Sequence, residues 1–551
     1  MALPKKHRAF FAVVACAAIL FLSDIWAYKE FVRAESYFGL GARLMVEQGE
    51  WLTPHAPDEQ PLNKPPLTYW SIGIAYKLFG ANYGSARLPS VLAGLLLLAI
   101  VYALGVRLYG RKAGLISATM LATSYLFMSF ARMAMSDMLL TLFVTASMAS
   151  LIFGTSVSER ASKLVLVGYA LLALGVLTKG PVAVALVAIP IGFELIFSRS
   201  REDFKKLRII PGLVLFLLIS APYFVVVYAR FGAAPLRFFF LGENLQRFTG
   251  QIYGASGRPF WYELLGFFGD FAPWSLLIVV AAIVDWLARQ SDSSRIRAKR
   301  ILYLWLGSTI LLFSLSSFKL DYYLLPAMPA SALILAPMIA NTEALGVLAR
   351  RVLQSFFVLC SGLVIFVAIV SIKAAGLLNV GAVVRFLPLC VASAGAIVMG
   401  VYFFKRKLWA ASIVLCAAIG ATTLSMHVAL LPAFSRYLPT AHLASTVPAN
   451  RVWHTSWTAS DWANDLAFNL PPPHRVERLI GDSNNERLLD VLKNDQRAVA
   501  VIWEREFANL GERDHSLRIF SEAETFGRGG VTFKMLRQPK RERLLIIGHD
   551  R

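Results

Sequence analysis

Between residue 8 and about residue 428 the chain alternates long apolar runs with short polar breaks. A spanning helix needs about 20 mainly apolar residues, a rule that predicts about thirteen of them here: about 8–27, 87–106, 113–131, 138–155, 164–178, 182–198, 209–229, 263–286, 301–316, 322–340, 352–372, 386–404 and 408–428. Two breaks are long, 28–86 and 230–262, and one, Lys179-Gly180-Pro181, is a turn of a few residues. From about residue 440 the pattern becomes that of a soluble domain. VERLI, NNERLLDVLKND and RAVAVIWERE read as strand, amphipathic helix and strand, and PPPH at 471–474 reads as a loop. The expected organisation is therefore a polytopic α-helical membrane domain over 1–440 and a small α/β domain over 441–551.

The polar breaks carry a second pattern. Lys5, Lys6 and Arg8, then Arg107, Arg111 and Lys112, Arg160 and Lys163, SRSREDFKKLR, RQSDSSRIRAKR, Arg350 and Arg351, and Lys405 to Lys407 all fall on one side of the predicted membrane. Cytoplasmic loops favour Lys and Arg, so that side is read as the inner one. The N-terminus is then cytoplasmic, while both long breaks and the C-terminal domain face outward. MALPKKHR followed by AFFAVVACAAILFL has the charge and apolar run of a signal peptide. The small residues lie within the run and bulky ones follow it, so an uncleaved first helix is expected.

Composition agrees with the membrane reading and narrows the classes. With 57% hydrophobic and 16% charged residues, and a mean hydropathy of +0.58, the chain lies outside the soluble range. The formal charge of +21 comes largely from the short clusters that set topology, so no nucleic-acid partner is read from it. Four cysteines, all within apolar runs and without CxxC spacing, suggest packing rather than a metal cluster or disulfides. No internal repeat, P-loop or dinucleotide-binding glycine pattern is present, which argues against a nucleotide-driven pump.

Candidate chemistry gathers on the predicted outer side, in Glu35, Lys64, Asp137, Lys179, Glu243, Arg247, Lys319 and Asp321. Charged groups at the ends of membrane helices are costly unless paired or wetted, so they mark candidate sites. The stretch from Arg33 to Trp70 organises the rest: it is polar, follows the first helix directly, and holds Glu35, Lys64 and the double proline Pro65-Pro66. Bland readings stand beside the functional ones. Asp137 could cap the fourth helix, Lys64 could anchor at the interface, Lys179 could snorkel, and Glu35 could be solvated. A transferase acting on a lipid-phosphate-linked sugar would need such a set: a carboxylate base for the acceptor and cations for the phosphate that leaves.

The motifs AESYFGLGARLMVEQGEWLTPH, NKPPLTYW, LFGANYGSARLPS, ARMAMSDMLLT, GVLTKGPVA, FFFLGENLQRFTG, RPFWYELL and LSSFKLDYYLLPAMPA follow one another from about residue 34 to about 330. In these the sequence resembles the protein mannosyltransferase-like branch of the glycosyltransferase C superfamily, in particular the bacterial transferases that add 4-amino-4-deoxy-L-arabinose to lipid A. The resemblance implies an inner-membrane enzyme, an undecaprenyl (polyprenyl) phosphate-linked sugar donor, an acceptor at the periplasmic face such as lipid A or another envelope glycan or protein, and inversion at the anomeric carbon. Carried over by motif, Lys64 would contact the donor phosphate, Asp137 would be the acidic residue of the second loop, and Lys179, Arg247 and Lys319 would be phosphate-side cations.

The departures are as informative. Most relatives have Asp-Glu where this chain has Ala34-Glu35, Glu-Lys-Pro where it has Asn63-Lys64-Pro65, and Glu-His where it has Glu243-Asn244. Three readings of the first change stand: Glu35 is the catalytic base, Asp137 acts alone, or the chain binds lipid phosphate without transfer. The other two changes remove potential metal ligands, so no bound metal is expected, although a divalent ion is compatible with the family. A lipid or sugar transporter is the competing class. Transporters place binding groups near mid-membrane and often show repeats, whereas these groups sit at predicted helix ends.

Overall fold

The computed structural model describes residues 7–32, 34–55, 62–156, 162–199, 201–252, 254, 256–287, 293–447, 451–454, 464–470, 475–478, 484–495, 498–511, 514–525 and 542–549. The expected loop at 471–474 lies outside these residues.

A helix stands at each of the thirteen predicted spanning positions. The first part of the chain forms α1 (Arg8–Leu22), α2 (Glu35–Gln48), α3 (Leu67–Phe79), α4 (Tyr83–Tyr109), α5 (Arg111–Ala122), α6 (Tyr125–Phe130), α7 (Ser136–Ser156), α8 (Ser162–Lys179) and α9 (Val182–Ser198). It continues through α10 (Arg201–Lys206), α11 (Ile209–Phe231), α12 (Ala233–Arg237), α13 (Arg247–Thr249), α14 (Tyr262–Asp270), α15 (Leu277–Leu287) and α16 (Ser293–Leu315). The last helices of the bundle are α17 (Met328–Ala340), α18 (Val347–Leu377), α19 (Ala382–Phe404) and α20 (Leu408–Phe434). Among the described residues seven helices are long and apolar enough to cross a membrane, or eight if α14 and α15 count as one span. The chain is thus a polytopic helical membrane protein.

Two predicted helices are broken. The third splits into α5 and α6 at Thr123-Ser124. The eighth bends by 119° between Asp270 and Trp274, where Pro273 lacks the backbone donor a continuous helix would use. Helix α17 forms the heart of the bundle: all of its residues except Pro337 are buried, as expected of a helix that is apolar on every side. At the end of the bundle rich in Lys and Arg, buried Glu194 of α9 takes both of its bonds to Arg300 of α16 at 2.5 Å.

The long break after α1 is not a plain loop. Its sequence supplies two amphipathic helices, α2 and α3, which bury Phe38, Leu40, Met45, Tyr69, Ile72 and Tyr76 against one another. Gly49, at a φ of +73°, ends α2 in the left-handed conformation that glycine adopts most readily.

The C-terminal part begins with α21 (Pro439–Thr446) and builds a five-stranded sheet in the order β2-β1-β3-β5-β4, from β1 (Arg451–His454), β2 (Arg475–Arg478), β3 (Ala498–Trp503), β4 (Leu517–Thr525) and β5 (Glu542–His549). Strand β1 is parallel to β2 and β3, and β5 is antiparallel to β3 and β4. Parallel neighbours need crossovers, and helices supply them: α22 (464–469) between β1 and β2, and α23 (Asn484–Asn494) between β2 and β3. A last helix, α24 (Glu504–Gly511), follows β3. The central strand β3, AVAVIW, is buried along its length.

Candidate active site

Helices α7 and α8 are antiparallel neighbours, so the start of one meets the end of the other. Asp137 lies in the first turn of α7 and Lys179 is the last residue of α8. Each charge suits its end, because the helix dipole favours anions at the N-terminus and cations at the C-terminus. They meet directly: Lys179 Nζ donates to Asp137 Oδ1 at 2.5 Å, with only 5% of the aspartate side chain exposed. The Lys179 ammonium also lies 5.6 Å from the ring centres of Tyr322 and of Tyr323. The turn that follows needs its glycine. Gly180 has a φ of +88°, and a Cβ there would stand 2.5 Å from the Phe239 ring.

The second cluster joins the two long breaks. Lys64 precedes Pro65 and Pro66, with Pro66 at the cap of α3. Its ammonium donates to Glu243 Oε2 at 2.6 Å and to the Asn63 carbonyl at 3.2 Å. Glu243 belongs to a π-helix, Phe238–Gln246, a form found mostly as short insertions at functional sites. Arg247 Nη1 donates to the same Glu243 oxygen at 2.9 Å and its guanidinium lies 4.5 Å from the Phe318 ring centre. One carboxylate oxygen therefore serves two cations, and the Glu243 side chain is 1% exposed.

Both clusters open on one cavity of about 880 Å³. Lys64, Asp137, Lys179, Glu243 and Arg247 line it, so five of the eight candidate residues come together; aromatic walls are given by Phe238, Phe239, Phe240, Phe248, Tyr322 and Tyr323. Ala34 also lines the cavity, so the position at which most relatives have aspartate presents only a methyl group. Asn63 and Asn244, the other two departures, line it as well. Among the described residues no group of three or more His, Cys, Asp or Glu side chains is arranged to hold a metal.

Glu35 and Lys319 stand apart from the lining. Glu35 is fully buried, and its oxygens accept from Arg87 Nε at 3.0 Å, Arg87 Nη2 at 3.1 Å, Val32 N at 2.8 Å and Ala134 N at 2.7 Å. Four donors on two oxygens leave it holding backbone rather than facing a substrate. Lys319 is buried and turns its ammonium back onto the Ser316 carbonyl, while its own carbonyl accepts from Arg258 at 3.1 Å. Asp321 faces outward, bound by Arg258 at 2.6 Å and by the Tyr262 hydroxyl at 2.5 Å.

Reading the sequence passed over Arg87, the buried partner of Glu35. The signal was there: an arginine at the start of an apolar helix must find an anion or carbonyls. Arg87 finds both, through Glu35 and the carbonyls of Ile25, Tyr28 and Glu30. The tyrosines at 322 and 323 were visible in DYYLLP, next to the charges that were singled out.

Comparison with known proteins places the sequence and the fold beside others. Residues 63–226 match the family model described as dolichyl-phosphate-mannose-protein mannosyltransferase. An uncharacterized protein of Aquifex aeolicus (strain VF5) is 29% identical over 339 residues, 61% of this chain and 65% of that protein. An undecaprenyl phosphate-alpha-4-amino-4-deoxy-L-arabinose arabinosyl transferase of Pectobacterium carotovorum subsp. carotovorum (strain PC1) is 30% identical over 342 residues, 61% of this chain and 59% of that protein. The match thus spans about three fifths of these relatives' length. The crystal structure of ArnT from Cupriavidus metallidurans bound to undecaprenyl phosphate superimposes over 98% of both chains, with a TM-score of 0.76 at 20% identity, which establishes the fold. Motif order, family model and whole-chain fold point the same way: residues 63–226 match the mannosyltransferase family model, the chain has the fold of the ArnT structure, and in sequence it resembles the 4-amino-4-deoxy-L-arabinose transferases.

Proposed function

We propose that the protein is an inverting glycosyltransferase that moves a sugar from a polyprenyl (undecaprenyl) phosphate donor to an acceptor hydroxyl at the periplasmic face of a bacterial inner membrane. The observation that carries this reading is the cavity that unites three cations and two carboxylates beside an aromatic wall. Lys64, Lys179 and Arg247 hold the donor phosphate, and the aromatic and apolar lining receives the sugar and the first part of the lipid. Asp137 is the base. Among the described residues the other carboxylate on the lining, Glu243, is committed to Lys64 and Arg247, and Glu35 is enclosed with Arg87.

In the transfer, the acceptor oxygen forms a bond to the anomeric carbon as its proton passes to Asp137. The bond from that carbon to the phosphate oxygen breaks, and its electron pair leaves with the lipid phosphate. A single displacement inverts the anomeric centre. The leaving phosphate gains charge, and the three cations stabilise it as that charge develops. The acceptor is an envelope component such as lipid A, and the domain carrying β1 to β5 lies on the periplasmic side with the cavity.

The test is transfer by purified protein from an undecaprenyl phosphate-linked sugar, followed as release of undecaprenyl phosphate. Lys64→Ala and Asp137→Asn each reduce turnover by 10²-fold or more, in the range of roughly 10²–10⁴ ascribed to a positioned acid or base. A carrier bond that stays intact while the lipid-linked sugar crosses the membrane would identify a flippase instead.

A further inference from the structure

Each carboxylate on the cavity wall is neutralised by the cations that a phosphate would need. Lys179 is bound to Asp137, while Lys64 and Arg247 are bound to Glu243. Among the described residues of the lining three cations face two carboxylates, a balance of one positive charge. A sugar joined to a lipid through one phosphate carries one negative charge. The site is therefore electrically matched to a phosphodiester donor, but only by sharing cations that are already in use.

We infer, on the basis of the transferase reading above, that the donor phosphate takes Lys179 from Asp137, so that the base becomes available only after the donor is seated. Lys179 occupies the Asp137 oxygen that it faces, and this pairing opposes use of the carboxylate as a proton acceptor. The arriving phosphate offers the same ammonium a second anion. Lys179 has the reach for this, because it ends α8 on a flexible stem, lines the cavity, and holds its head beside the rings of Tyr322 and Tyr323. The charge remains balanced through the reaction. The acceptor proton neutralises Asp137 as the phosphodiester becomes a phosphate monoester with a second negative charge, so the cavity and its contents begin and end neutral. An acceptor that arrives first meets a base held by lysine, and no wasteful attack begins.

The experiment measures binding of undecaprenyl phosphate to the full-length protein in detergent. Asp137→Asn releases Lys179 in advance and is expected to bind the lipid phosphate roughly three- to tenfold more tightly than the wild type, while losing transfer. Asp137→Ala also releases Lys179 and is expected to shift binding in the same direction, which keeps the test intact should the first variant not fold. A second reading separates exchange of partners from simple relief of repulsion. Infrared difference spectra of the wild type, taken with and without the lipid phosphate, are expected to contain a shifted carboxylate stretch that disappears in Asp137→Asn. Folded variants that bind no more tightly than the wild type, or a carboxylate band unmoved by bound phosphate, would overturn the exchange and leave the transferase reading intact. A wild-type protein that binds no lipid phosphate would overturn both.

Discussion

Glu35 shows how a residue can stand in a motif beside the cavity without lining it. It looked like a base because it stands beside the position where relatives have aspartate, in a polar stretch next to a lysine. In the fold its carboxylate joins three segments: the turn at Val32, the arginine that opens α4, and Ala134 just before α7. Removing one partner of a buried pair leaves the other charged and unsolvated, at a cost of about 3–5 kcal/mol. Glu35→Ala is therefore expected to destabilise the protein by about that amount in denaturation measurements. Glu35→Gln, which keeps an acceptor for Ala134 N, should lose less stability and retain most of its turnover. A fully folded Glu35→Gln variant with no transfer would return the base role to Glu35. Spacing alone could not reveal this, because Arg87 is 52 residues away and was read only as the border of a helix.

At the scale of elements, hydrophobic runs and charge clusters located the helices well, since both follow from the chemistry of a lipid bilayer. The breaks in the third and eighth helices were less legible. Thr123-Ser124 is compatible with a continuous apolar run, and packing decides that the helix stops there; Pro273 is a local breaker, but Pro190 and Pro222 sit inside unbroken helices, so a proline alone does not mark the bend. The helices α2 and α3 were hidden for different reasons: α2 carries Glu35 and Arg43, which lower the apolar signal although both are satisfied inside the fold, and α3, at 13 residues, is shorter than the run of about 20 that marks a spanning helix. The α8–α9 turn is the most constrained connection in the site. Gly180→Ala would place a side chain at a φ of +88° and against Phe239, and strained backbone of this kind costs on the order of 1–3 kcal/mol. The expected result is a protein that unfolds at lower temperature and has lower kcat, because Lys179 is the residue just before the turn.

The molecule as a whole is joined by Asp465 of α22. Its side chain is fully buried and accepts from Phe31 N at 3.3 Å, the Tyr83 hydroxyl at 2.9 Å and the Thr440 hydroxyl at 2.7 Å. The sheet domain is thus tied to the segment after α1 and to the start of α4. Burial raises the Asp465 carboxyl from its ordinary 3.8 to about 7, against the opposing effect of these hydrogen bonds and of Arg87. A group raised in the folded state contributes stability that is full below its unfolded value and is lost as pH rises through the folded one. Thermal stability is therefore expected to fall as pH rises from about 4 to about 7 and to level off above that. Asp465→Asn, which cannot ionise, should lack that slope. An unchanged slope in the variant would assign the pH dependence to other groups.

Next to Asp465, Phe468 inserts among Phe31, Tyr76 and Tyr83, with ring centres 4.7, 6.2 and 5.1 Å away. Arg43 of α2 reaches across to the Leu470 carbonyl at 3.1 Å. These contacts impose an order on biosynthesis. The segment that holds α2, Lys64 and α3 is among the first to leave the ribosome, yet its aromatic cluster is completed by a ring more than 400 positions later. Contacts of such separation close late. A chain cut before residue 464 should insert its helices and still be cleaved between α2 and α3 by added protease under conditions where the full chain resists.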